Sequence, residues 1–199
     1  MDNPTRTAAH RDRISKRRSD LQSTVTSVLP DSSDFVCEIG CGHGHFLAAF
    51  GAVHPDRLCV GIDISRERID RAVRKRDRAK LSNLHFLHAE ARDFLDALPP
   101  KVTISALYIL FPDPWPKRRH HKNRLMQPEF LRQAAERAGK GARLYFRTDD
   151  QAYFRATEAV LERDSHWKVV AEPWPFEHVT VFQSRAAQHY SLIAQRRAG

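Results

Sequence analysis

The sequence predicts an open, doubly wound α/β sheet, seven-stranded and mostly parallel. Three observations predict it. Short apolar runs alternate with longer helix-patterned segments along most of the chain, as strands joined by crossover helices do. Gly40-Cys41-Gly42-His43-Gly44 sits where the first run passes into the first helix. Asp63 closes the second run, where such sheets hold ribose hydroxyls.

Residues 1 to about 30 come first, as a basic arm. Arg6, Arg11, Arg13, Lys16, Arg17 and Arg18 face only Asp2, Asp12 and Asp20. Few large apolar side chains are present to anchor the arm. It reads as a flexible or partly helical tail, or as an arm that orders on a phosphate backbone. Residues 31–199 form one domain. Phe35 to Ile39 is the first strand and His45 to Val53 the first helix. Leu58 to Ile64 is the second strand. Ser65 caps a charged helix to about Lys80, with Glu67 early and cations late, as the helix dipole prefers. Leu84 to Leu87 is the third strand, and Ala91 to Leu98 a short helix stopped by Pro99-Pro100. Val102 to Phe111 is the fourth strand. Pro128 opens a helix to about Ala138, and Gly139 and Gly141 end it. Arg143 to Arg147 is the fifth strand, Gln151 to Arg163 a helix, Trp167 to Ala171 the sixth strand, and Tyr190 to Gln195 the seventh. Glu172-Pro173-Trp174-Pro175 reads as a turn without a function.

Composition narrows the classes. Of 199 residues, 41% are hydrophobic and 29% charged, a globular balance. No apolar run approaches the roughly 20 residues of a membrane span. The basic N-terminus has no apolar stretch behind it, so a secretory signal is not expected. Cys37, Cys41 and Cys59 are odd in number and form no CxxC pair, which argues against a disulfide scaffold or zinc ribbon and points to the reducing cytoplasm. The net charge is +9, from 33 Lys+Arg against 24 Asp+Glu, which favours a polyanionic partner.

The glycine cluster is spaced GxGxG rather than the GxGxxG of dinucleotide sites. Glu38, Asp63, Glu90 and Asp113 all fall at or just beyond strand ends, where ligands of such sheets bind. Crowded carboxylates repel a pyrophosphate. They suit a ligand carrying an ammonium and a sulfonium, S-adenosylmethionine. Gly40 and Gly42 let the backbone approach it, and Glu90 can accept from the adenine amino group.

The segment Phe111-Pro112-Asp113-Pro114-Trp115-Pro116 holds one acid between prolines, and prolines fix φ and remove backbone donors. Such a carboxylate is preorganised, as a catalytic contact requires. Five cations follow within eight residues, Lys117 to Arg124, a field suited to phosphates.

In these segments the chain resembles the bacterial tRNA (guanine-N7-)-methyltransferase family, TrmB. The likeness covers about residues 34 to 195 and rests on EIGCGHGHFL, GIDIS, NLHFLHAEARDFL, FPDPWPKRRHHKNRLMQPEFL, RTDDQAY and VTVFQ. It implies a Rossmann-like S-adenosylmethionine-dependent methyltransferase domain that methylates N7 of a variable-loop guanine, position 46 in the usual tRNA count. It implies that Glu38, Asp63, Glu90 and Asp113 contact the donor and that Asp113 is catalytic. It also implies substrate contacts at Lys117, Asp149 and Thr180 to Gln183. Three departures stand out. Gln183 replaces the family's usual Glu, keeping an acceptor oxygen but losing the charge. The stretch from Gln183 to Tyr190 is shorter than usual, and so is the arm.

Two other readings compete. One is a methyltransferase acting on an exocyclic amine of a base, which the order Pro-Asp-Pro-Trp disfavours. The other is a non-catalytic RNA-binding relative, which retention of all four acids disfavours. Lys117, Arg118, Arg119, Lys122 and Arg124 are expected to hold tRNA phosphates. For the helix carrying Arg66, Arg68, Arg71, Arg74, Arg76 and Arg78, partly offset by Glu67, Asp70 and Asp77, a solvated face is favoured over an RNA contact. Asp149 has helix capping as its alternative role. His43, His45, His120 and His121 have no matching ligand set, so no metal is assigned.

Overall fold

The computed structural model describes residues 4–31, 33–178 and 188–198, with side chains from residue 15 onward. Thr180 and Gln183 lie outside the described residues. The elements follow in the order α1 (Pro4–Val28), β1 (Asp34–Ile39), α2 (His45–Val53), β2 (Cys59–Asp63), α3 (Arg66–Arg78), β3 (Leu84–His88), α4 (Ala91–Ala97) and β4 (Thr103–Leu110). A 3₁₀ turn (Arg118–Asn123) precedes α5 (Pro128–Arg137), β5 (Ala138–Thr148), α6 (Gln151–Glu162), β6 (Trp167–Val170) and β7 (Tyr190–Arg196). They build one sheet of order β3-β2-β1-β4-β5-β7-β6. β1 to β5 pair in parallel, while β7 runs antiparallel to both β5 and β6.

The sheet is covered on both faces, and β1 shows how its sequence serves two cores. Phe35, Cys37 and Ile39 pack with α4, α5 and the end of α1. Val36 packs with α2 and α3, as the two-residue period of a strand demands. Glu38 shares the face of Val36 and is therefore driven under α2. All three cysteines are buried and unpaired.

Three features differ from the sequence expectations. β5 follows α5 with no loop between them, so Gly139 and Gly141 lie in the irregular start of a strand instead of simply ending a helix. Gly141 takes the left-handed φ of 73° there, where a side chain would be strained. Residues 172–176 are a strap and not merely a turn. Trp174 stands edge-on to Tyr145, and Phe176 stands edge-on to Phe46 and Phe50, closing the α2 face of the sheet. Arg143 fixes Glu172 through two hydrogen bonds of 2.9 and 2.8 Å, and Arg147 fixes Glu177 through two of 2.8 and 2.7 Å. Third, α1 docks its C-terminal end. Val25 and the following Leu29, four apart and so on one side, are buried in the core that α4 also lines.

Glu38 is 4% exposed, and burial pushes its carboxyl up to about 8, with Asp63 raising it further and the Leu47 backbone N–H and Lys75 opposing. Folded, the group binds a proton more tightly than at its ordinary 4.5. Stability therefore falls as pH rises between those two values, by at most about 1.4 kcal/mol per pH unit. Urea midpoints of the wild-type protein are expected to drop from pH 5 to pH 8, and those of Glu38→Gln to drop less. Parallel midpoints for the two proteins would contradict this ionisation.

Candidate active site

The order of the sheet reverses between β1 and β4, since β1 continues to β2 on one side while β4 continues to β5 on the other. Ligands of open α/β sheets bind beyond the strand ends at such a switch point. A cleft of about 270 Å³ opens there. Gly40 follows the end of β1, Asp63 ends β2 and Ile64 follows it, Glu90 lies just beyond β3, and Asp113 and Trp115 come from the loop after β4. A wider groove of about 600 Å³ adjoins it, sharing Ala89 and Glu90 and walled by Lys16, Arg17 and Asp20 of α1.

Asp63 organises the near wall. It is 4% exposed, and its Oδ2 accepts the Gly42 N–H at 3.0 Å while its Oδ1 accepts the Ser65 N–H at 2.8 Å. Gly40, Gly42 and Gly44 have φ of 74°, 54° and 66°. The spacing GxGxG follows from packing. A Cβ at Gly44 would overlap the Phe86 ring and Ala72, whereas Gly40 and Gly42 face open space within 4 Å. The loop is thus bare on its ligand side and tight at its back.

Glu90 caps α4, its Oε2 accepting the backbone N–H groups of Arg92 and Asp93 at 2.8 and 3.2 Å. Neither its Oε1 nor either oxygen of Asp113 is hydrogen-bonded among the described residues. Glu38 does not line the cleft. It lies behind the glycine loop with its Oε2 buried and without a hydrogen bond.

The far wall is a strained loop. Phe111 and Trp115 both have left-handed φ, 50° and 46°, which for non-glycine residues costs about 1–3 kcal/mol each. Two backbone anchors hold it: Phe111 N–H donates to the Arg147 carbonyl at 2.7 Å, and Arg124 Nε donates to the Pro114 carbonyl at 2.8 Å. The Arg124 guanidinium also lies 4.7 Å from the Tyr153 ring centroid and 3.8 Å from Asp150. Arg124 is only 4% exposed, so the expectation that it holds phosphate is corrected. Arg124 is the extended residue that closes the 3₁₀ turn and it points inward, while Lys117, Arg118, Arg119 and Lys122 stay exposed.

Asp149 is exposed at the end of β5 and is not the cap of α6; Asp150 takes that place, accepting the Tyr153 N–H at 2.6 Å. Lys117 stands at the start of the 3₁₀ turn, outside the cleft lining. Sequence reasoning missed Ile64, which lines the cleft while 72% exposed. Its signal was available: an apolar residue directly after the strand-end acid. It also missed Leu125 and Asn123, which reach the cleft from beyond the basic run. No cluster of His, Cys, Asp and Glu among the described residues could hold a metal.

The donor set fits a methyl donor with a cationic head: two carboxylates open to the cleft, a buried carboxyl behind it with one oxygen lacking a partner, and a glycine cradle with room beside it. Comparisons with known proteins agree. A family model described as "Putative methyltransferase" matches residues 32–191. A tRNA (guanine-N(7)-)-methyltransferase of Thermus thermophilus is 35% identical over 78% of this chain and 50% of its own length. One of Rubrobacter xylanophilus is 29% identical over 84% of this chain and 73% of its own length. The chain thus spans half of the first relative and about three quarters of the second. The crystal structure of a 16S rRNA (adenine(1408)-N(1))-methyltransferase from Catenulisporales acidiphilia superposes with a TM-score of 0.58 at 16% identity, covering 91% of this chain and 90% of that one. That likeness confirms the Rossmann-like methyltransferase fold. Motifs, cleft and relatives converge, and the chain belongs to the TrmB family of methyltransferases.

Proposed function

We propose that this protein transfers the methyl group of S-adenosylmethionine to N7 of the variable-loop guanine, position 46, of tRNA. The observation that carries the reading is Asp113, held on a strained and braced loop, opening into a cleft whose other walls are the glycine loop, Asp63 and Glu90. The reading puts the protein in the cytoplasm with its substrate.

Bound S-adenosylmethionine supplies an electrophilic methyl group on a sulfonium. Asp63, with a second lone pair on each oxygen, has capacity for ribose hydroxyls. Glu90 keeps Oε1 for an amino group, and Ile64 and Ala89 offer apolar contact to a flat base. Glu38 would shed its proton once a cation lies near, since an opposite charge favours the ionised form. Guanine N7 carries an available lone pair, so no general base has to remove a proton before attack. Asp113 is left with two tasks: accepting guanine N–H groups, and offsetting the positive charge that develops on the ring. Trp115 supplies a flat face beside it.

Lys117, Arg118, Arg119 and Lys122 project outward from the rim and would meet tRNA phosphates, as would Lys16 and Arg17 on α1. Asp149, Thr180 and Gln183 complete the proposed substrate contacts.

Incubation with tRNA and labelled S-adenosylmethionine should transfer label, and cleavage chemistry specific for N7-methylguanosine should cut at position 46. Label without that cut would overturn the position, and absence of label the activity. Asp113→Ala should lower kcat by about 100-fold or more, while donor affinity measured by calorimetry falls far less. Equal losses in both would argue against its role on the guanine. Arg124→Lys should lower kcat by shifting the Pro-Asp-Pro loop, yet leave the salt dependence of tRNA binding at its wild-type slope. A shallower slope would return Arg124 to the phosphate contacts.

A further inference from the structure

On α3, Arg71, Arg74, Lys75 and Arg78 fall at positions i, i+3, i+4 and i+7, so one helical face carries four cations. Facing it are His43 of the glycine loop and His45, the first residue of α2, with ring centroids 6.2 Å apart. These six side chains line an open hollow of about 380 Å³, and no carboxylate is among them. The two sides are tied together by Lys75, whose Nζ donates to the His43 carbonyl at 2.9 Å.

The surrounding acids do not neutralise the hollow. Glu67 takes up Arg71 at 2.6 Å, and Glu38 lies near enough to Lys75 to act on it from beneath the loop. Arg74 and Arg78 form no ion pair among the described residues; the Arg78 Nε turns to the Arg74 carbonyl at 3.3 Å. Arg71 and Lys75, and Arg74 and Arg78, are like charges four residues apart, an arrangement that disfavours a helix. A solvated helix face is usually laced with both signs. Here four of the helix's cations share the face that Glu67 opens, and they are joined by two histidines from another element, a juxtaposition the sequence did not reveal. The loop carrying His43 is the one whose Gly42 N–H is held by Asp63 at the cleft, so the hollow and the cleft share a wall.

We propose that this hollow seats backbone phosphates of the RNA whose guanine enters the cleft, a proposal that rests on the tRNA reading above. Arg74 and Arg78 are the principal contacts, with Lys75 and the two histidines at the floor.

The test is the salt dependence of binding. Fluorescence anisotropy with labelled unfractionated tRNA, between about 50 and 200 mM salt, gives the number of phosphates neutralised. The double variant Arg74→Ala, Arg78→Ala should show a log–log slope shallower by about 1.4 to 1.8, from about 0.7 to 0.9 per phosphate lost. Its affinity for S-adenosylmethionine, read by calorimetry, should match the wild type and report an intact fold. The control Arg132→Ala, Arg155→Ala removes two exposed arginines paired on α5 and α6 and should leave the slope unchanged. A wild-type slope in the first variant, or an equal loss in the control, would overturn the hollow while leaving the tRNA reading in place. A wild-type protein that binds no tRNA would overturn both.

Discussion

One buried carboxylate sets the geometry of the donor cleft. Asp63 ends β2, and its two oxygens reach in two directions, to the Gly42 N–H in the loop after β1 and to the Ser65 N–H at the start of α3. Hydrogen bonds to a charged group contribute about 1.5–3 kcal/mol each, and here both donors are backbone. Two strand ends and one helix start are thereby held in a single arrangement. The left-handed glycines need that hold, because a loop free of side chains on its ligand side has little packing of its own. Arg68 at 3.8 Å adds a partly exposed cation to the same carboxylate.

The opposite wall is held by different means. No glycine relaxes Phe111 or Trp115, so their backbone strain is met by anchors at both ends of the Pro-Asp-Pro segment. The prolines remove donors that would need partners, and the Arg124 guanidinium satisfies an acceptor that the prolines leave behind. One wall of the cleft is thus shaped by permissive residues and the other by constrained ones. Asp113 sits on the constrained side, where placement of a carboxylate costs least motion.

Most of the sheet was legible because each strand carries its own pattern. Phe35 to Ile39 and Leu84 to Leu87 read as strands from a few apolar residues, and Pro128 marked the start of α5. The acids at strand ends were equally plain. What stayed hidden depends on partners distant in sequence. Arg124 reads like its basic neighbours, but past the end of the 3₁₀ turn it is directed to the Pro114 carbonyl and buried, and only strand alternation shows Glu38 lying beneath α2. Asp149 and Asp150 are interchangeable as letters; only the phase of α6 decides which one caps it. The strap at Trp174 could not be read from Pro-rich local sequence, since its partners Tyr145 and Phe46 come from β5 and α2. Gly44, by contrast, was conspicuous in sequence and acquired its reason only from the Phe86 ring behind it.

Arg147 has a second bond besides its fork with Glu177: its Nε donates to Ser191 Oγ on β7 at 2.8 Å. One guanidinium therefore grips the chain on both sides of residues 178–190, pinching that span at its neck. A neck fastened in this way insulates the sheet from what is spliced in or trimmed beyond it. Doubling or halving such a span changes closure entropy by only about 0.6 kcal/mol. The span between Glu177 and Ser191 is accordingly a place where chain length can change while the scaffold stays put.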